Sequence, residues 1–124
     1  MTCEIRFEER LDYLYVVVTG DNSIATIREY TEAVRNTCIR ARKLQVLVVV
    51  NLVGPELSML DVYKAVGEGS DQAAGMGMRV AYVDLNPAHS IDNMLLAEDV
   101  AGGRGIPVRT FREERAAEEW LLAG

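Results

Sequence analysis

Val46-Leu47-Val48-Val49-Val50-Asn51-Leu52 (residues 46–52) is an almost unbroken apolar run, and Gly54-Pro55 ends it. A strand that is apolar on both faces belongs in the middle of a sheet covered on both sides. The period then changes. A helix starting near Leu57 or Ser58 puts Met59, Val62, Tyr63 and Val66 at i, i+3, i+4 and i+7, on one helical face. Ser58 with Asp61 three residues on resembles a capping box with a shortened acid. A buried strand feeding a helix sets the class as α/β.

Upstream, Cys3, Ile5 and Phe7 alternate with Glu4, Arg6 and Glu8, the period of a half-buried strand. Glu9 to Asp12 is a polar turn. Tyr13 to Thr19 is rich in β-branched and aromatic residues and reads as the return strand of a hairpin. Gly20-Asp21-Asn22 breaks it. A long helix follows, about Ser23 to Ala41, with Ile24, Ile27, Tyr30, Val34, Cys38 and Ala41 along one face. Thr26 and Glu29 make a capping-box pattern, with Ser23 as a rival cap. Arg28, Glu32, Arg35 and Arg42 take the opposite face.

Downstream, Gly67, Gly69, Gly75 and Gly77 leave the end of the second helix open. It can cross Gln72-Ala73-Ala74 before stopping at Gly75 or Gly77. Arg79 to Leu85 is a fourth strand, ended by Asn86-Pro87. Ser90 caps a third helix with Ile91, Met94, Leu95 and Glu98 on one face. Gly102-Gly103-Arg104-Gly105 stops it. Ile106 to Phe111 is a fifth strand, where Pro107 suits a strand start or a sheet edge. Arg112 to Leu122 is a final helix with Ala116, Ala117, Trp120 and Leu121 as its apolar stripe. The order is β-β-α-β-α-β-α-β-α. Right-handed crossovers between the later strands give a mostly parallel sheet with an antiparallel edge hairpin.

The chain has 124 residues, 49% apolar and 26% charged, with a net charge of −6. These values suit one globular domain over residues 1–124 and exclude a disordered tail or a fibrous repeat. The acidic balance argues against nucleic acid and anionic membranes. The basic cluster Arg40, Arg42 and Lys43 sits where a helix C-terminus favours cations. Cys3 and Cys38 show no CxxC spacing and read as reduced thiols of a cytoplasmic protein. The first residues lack the apolar stretch of a signal peptide. No apolar run approaches the ~20 residues of a membrane helix, so no integral membrane segment is expected.

Four patterns carry a family resemblance. They are the hairpin ending Tyr15-Val16-Val17-Val18-Thr19-Gly20, the buried run 46–52 leading into Leu57-Ser58-Met59-Leu60, the strand Arg79-Val80-Ala81-Tyr82-Val83-Asp84, and Val108-Arg109-Thr110-Phe111 before the last helix. Together they cover essentially the whole chain. They resemble the STAS superfamily, named for sulfate transporters and anti-sigma-factor antagonists, and are most similar to its small stand-alone SpoIIAA-like branch. In the antagonists of that family, a serine at a helix N-terminus after the third strand is phosphorylated to control partner binding. The resemblance makes Ser58 the candidate phosphoacceptor. Here no Asp directly precedes Ser58 and no Gly follows it. The sequence is more similar to SpoIIAA-like proteins without that switch, for some of which a small apolar ligand has been suggested. The resemblance therefore implies a non-catalytic regulatory module that recognises a protein partner or a small apolar ligand.

The recognition surface expected from the sequence is the loop and helix face Gly54, Pro55, Glu56, Leu57, Ser58, Met59, Val62 and Tyr63, with Asn86, His89, Ser90 and Met94 alongside. Each has a plainer reading. Ser58 is also a helix N-cap. Met59, Met76, Met78 and Met94 could line an adaptable pocket but more simply fill core. His89 lies at the C-terminal edge of the sheet, where α/β proteins bind ligands. An exposed loop histidine is its expected state. An enzyme using His89 with Asp84 or Asp92 is the alternative, and no nucleophile motif accompanies it. Neither HxxxH nor HExxH is present, so no metal is expected, nor any cofactor. The glycine turn 102–105 reads as a helix stop rather than an anion cradle, and Glu8-Glu9, Glu113-Glu114 and Glu118-Glu119 as solvated acids. A phospho-switched anti-sigma-factor antagonist acting through Ser58 and a homodimer joined at a sheet edge or helix face complete the alternatives.

Overall fold

The computed structural model describes residues 3–124, and the elements, contacts and cavity are those of these residues. The order is β1 (Cys3–Glu9), β2 (Leu14–Asp21), α1 (Ile24–Ala41), β3 (Gln45–Val53), α2 (Met59–Ala73), β4 (Arg79–Asp84), α3 (Ile91–Gly102), β5 (Val108–Phe111) and α4 (Glu114–Ala123). The strands form one five-stranded sheet in sequence order. β1 and β2 pair antiparallel, with Cys3 opposite Gly20 and Glu9 opposite Leu14. The other neighbours pair in parallel. The expected order and mixed sheet are both present, and the run at 46–52 is the central strand.

Three successive crossovers of one hand, all moving the same way across the sheet, place α1, α2 and α3 on one face. The period of two along each strand then divides the residues. Val46, Val48 and Val50 face α1–α3 together with Leu14, Val16 and Val18. Leu47 and Val49 face the other way with Ala81 and Val83, and Ala117 and Leu121 of α4 cover them. At the level of the backbone, α2 rests on α1 and α3 rather than on any strand.

Several boundaries and faces differ from the sequence expectation. Ser23 is the cap of α1, its hydroxyl accepting from the Thr26 N–H at 3.1 Å, while Thr26 is buried inside the first turn. The second helix ends at Ala73, and Gly75 and Gly77 take positive φ (84° and 82°) in the turn to β4. β5 begins at Val108 rather than Ile106. Ile106 is buried beyond the strand, and the Pro107 carbonyl accepts from the Val80 N–H at 2.9 Å. In α3 the expected apolar face holds at Met94 but not at Ile91 and Leu95. Both side chains are exposed, and Met94, Val100 and Ala101 are the buried ones.

Candidate functional site

The offset of α2 leaves a cavity of about 200 Å³ between this helix and the sheet. Its floor is the α1–α3 face of β3, β4 and β5: Val48, Val80, Tyr82, Asp84, Val108 and Thr110. Ile27, Tyr30 and Val34 of α1 form one wall, and Met94, Ala97 and Ala101 of α3 the other. The roof is Val62, Val66, Gly69, Ser70 and Ala73 of α2. The volume has a residue-level cause. The inner faces of α2 and α3 carry Gly69, Ser70, Ala73, Ala97 and Ala101 where a filled core would hold leucine or isoleucine.

The cavity is largely apolar, with Thr31, Arg35, Ser70 and Thr110 as scattered polar residues and a polar cluster at the C-terminal edge of the sheet. There His89, 9% exposed, is paired with Asp84, 5% exposed. His89 Nδ1 lies 2.7 Å from Asp84 Oδ2. Asp84 Oδ1 accepts from the Asn86 N–H at 2.9 Å. His89 Nε2 lies 3.3 Å from Asn22 Nδ2, and that amide nitrogen also donates to the Pro55 carbonyl at 3.0 Å. The Pro55 carbonyl fixes which end of the Asn22 amide faces the ring, so Nε2 is an acceptor. Nδ1 then carries the hydrogen and donates to Asp84. The arrangement is a neutral imidazole against a buried carboxylate, with both ring nitrogens engaged. His89 is thus not the exposed loop residue that its sequence context suggests. The turn after β4 folds back over Asp84, and Arg112 holds it by donating to the Asn86 carbonyl at 2.9 Å and to the His89 carbonyl.

Two tyrosines stand between this pair and the apolar volume. The Tyr30 and Tyr82 hydroxyls approach to 3.5 Å. Burial pushes Tyr30 up to about 12, with the negative charge of Asp84 adding to it. Tyr82 is held well above the ordinary phenol range by burial first, then by Tyr30 and Asp84. Part of the Tyr82 surface stays accessible although the ring lies deep among protein atoms, as a ring lining a cavity does. Both side chains are neutral phenols at any physiological pH.

The candidate residues are drawn together only in part. The loop after β3 and the turn after β4 are joined: Glu56 Oε1 accepts from the Ser90 N–H at 2.6 Å, Asn93 Nδ2 donates to the Leu57 carbonyl at 2.8 Å, and Asn86 Nδ2 donates to the Leu52 carbonyl at 2.8 Å. Hydrogen bonds from Ser90 hold the Glu56 carboxyl below its usual range. Glu56, Leu57, Val62, His89, Ser90 and Met94 line the cavity. Gly54, Pro55, Ser58, Met59, Tyr63 and Asn86 do not. Met59 and Tyr63 point outward and are 57% and 50% exposed. Ser58 is exposed at the start of α2, where its Oγ accepts from the Asp61 N–H at 3.1 Å. Of the four methionines considered, Met78 and Met94 reach the cavity. Asp92 is exposed, away from the buried pair. Tyr30, Tyr82 and Asn22 were missed as site residues. The tyrosines occupy core positions of a helix and a strand, and only the small residues opposite them could have signalled space.

No family model and no curated protein matches this sequence. Solved structures do match in shape. A serine-to-glutamate variant of RsbS from Moorella thermoacetica superposes with a TM-score of 0.61 at 14% identity, covering 96% of this chain and 95% of that one. An uncharacterised protein of the DUF3478 family with a SpoIIAA-like fold, from Shewanella loihica PV-4, gives a TM-score of 0.54 at 17% identity, covering 97% and 94%. The chain therefore has the fold of a STAS/SpoIIAA-like domain, as the sequence patterns implied. No helix among the described residues is long and apolar enough to cross a membrane.

Proposed function

We propose that this protein is a non-catalytic binding module that takes a small, largely apolar molecule into the cavity beneath α2. The observation that carries this reading is the 200 Å³ volume lined by small residues from two helices and closed at one end by a fully engaged polar cluster. Pockets that are mostly apolar with a few convergent polar groups are the usual form of a ligand site. The engagement of both His89 nitrogens favours binding over general-base chemistry, which needs a nitrogen facing the substrate. The exposed Met59, Leu60 and Tyr63 on the outer side of α2 give a second recognition surface, for a protein partner, on the roof helix itself.

The test is intact-mass spectrometry on protein purified from its own cells, under native and denaturing conditions, beside the Ala73→Leu variant. The expected result is a bound mass in the native spectrum alone, absent from Ala73→Leu. Leucine at 73 fills part of the cavity without adding a polar group. A folded wild-type protein that carries nothing and binds no small apolar probe saturably would overturn the reading. A covalent phosphate at Ser58 would instead support the phospho-switch.

A further inference from the structure

We infer that the cavity selects a neutral ligand with one hydrogen-bond-accepting oxygen, held at the Tyr30–Tyr82 hydroxyl pair. This deepens the reading above and rests on the cavity being a ligand site. The argument is one of donors and charge. Two phenols bring two O–H donors, and the 3.5 Å approach uses at most one of them. The Tyr82 hydroxyl accepts from Tyr30 and makes no hydrogen bond as a donor to any described residue, the Asp84 oxygens accepting from His89 and Asn86 instead. A ligand carbonyl, ether or neutral hydroxyl oxygen would accept from Tyr82. A hydrocarbon would leave that donor unmet. A carboxylate would bring a second negative charge beside buried Asp84, with the His89 imidazole neutral and turned to Asn22. The rival for an anion is Arg35, which lines the cavity on α1 beyond Val34, but its guanidinium donates to Gln72 of α2. The volume sets the size. An apolar cavity of ~150 Å³ holds benzene, so about eight or nine non-hydrogen atoms fit here.

The experiment compares three probes of nearly identical shape by calorimetric titration: acetophenone, α-methylstyrene and benzoate. They present a carbonyl oxygen, a methylene and a carboxylate at one position. The expected order is acetophenone about tenfold tighter than α-methylstyrene, the range of one net hydrogen bond, with benzoate weakest. Tyr30→Phe and Tyr82→Phe singly each leave one donor and keep a preference for the ketone. The double variant Tyr30→Phe/Tyr82→Phe has none, so the two neutral probes should bind equally. Retained α-methylstyrene binding in that variant reports an intact cavity. A double variant that fails to fold is replaced by the wild-type comparison of the three probes, which decides by itself. Equal binding of ketone and alkene to the wild type would overturn this inference and leave the cavity reading standing. Benzoate binding tightest, and lost in Arg35→Gln, would overturn it in favour of an anion. Binding of none of the three would remove the cavity reading and this inference together.

Discussion

The two faces of the sheet are built from alternate residues of the same strands, yet they are packed to different ends. On one face Leu47, Val49, Ala81 and Val83 meet Ala117 and Leu121 of a single helix, each at 3% exposure or less. Phe111 and Trp120 close the edge with ring centroids 6.0 Å apart. The one buried hydroxyl there, Tyr13, is fully engaged, accepting from Arg10 at 2.8 Å and donating to Glu118. On the other face three helices share the cover. The middle one is raised on its neighbours, and the space below is bounded by glycine, serine and alanine. Its two tyrosine hydroxyls have only one long contact between them. One face is packed for stability. The other gives up contact area and hydrogen bonding that a ligand can restore.

The sharpest way to break this contrast is at the polar end of the cavity. His89→Ala removes the donor to a carboxylate that stays buried, and leaving a buried charged acceptor without its hydrogen-bond partner costs about 3 kcal/mol or more. Urea unfolding should show a drop of that size, with Asp84→Asn in the same background recovering part of it. A loss below about 1 kcal/mol would mean that water reaches Asp84 and that the polar end is open rather than closed.

The next effect compares the two faces directly. Leu121→Ala on the filled face leaves a void where nothing can collapse, at a cost of about 2–5 kcal/mol. Ala73→Leu adds a larger side chain to the cavity face, where overpacking a filled core would cost about 1–3 kcal/mol. Because space is present, stability should stay within about 1 kcal/mol of wild type or rise. If Ala73→Leu destabilises as an overpacked core does, the difference between the faces is not real in solution.

The fold was legible because its main signals are local. The apolar run 46–52 can satisfy its two faces only as a central strand, and the glycine and proline breaks separate the helices correctly. The site was legible where it depends on chain order. Glu56, Leu57, His89, Ser90 and Met94 follow strands whose ends a parallel sheet brings to one edge. It was not legible where it depends on subtraction. A cavity is a set of missing side chains, and Gly69, Ser70, Ala73, Ala97 and Ala101 read in sequence as weak helix positions. The burial of His89 was hidden for a related reason. Asn86-Pro87-Ala88-His89 has the composition of a surface turn, and only the Asp84 carboxylate two residues before it, facing inward on β4, gives the ring cause to turn in.

The smallest contrast lies in how the helices begin. Each helix of the cavity face starts on a serine whose hydroxyl accepts a backbone N–H: Ser23 from Thr26, Ser58 from Asp61 and Ser90 from Asn93. α4 starts at Glu113 with no side-chain cap. Buried Ala117 and Leu121 pin α4 to the sheet within its first two turns, whereas the first residues of α2, Met59 and Leu60, are largely exposed. The start of α2 therefore depends on its cap more than the start of α4 does. Ser58→Ala should cost about 1 kcal/mol, while Glu113→Ala should change stability by a few tenths at most. Ser58→Asp keeps a side-chain acceptor and adds a charge that the helix dipole favours, so its stability should match wild type. That equality makes Ser58→Asp a clean probe of partner binding, because any change it causes cannot be traced to a loosened helix. Equal losses from Ser58→Ala and Glu113→Ala in the same denaturant series would show that the cap does not hold the roof of the cavity, and that α2 is fixed by its packing on α1 and α3 alone.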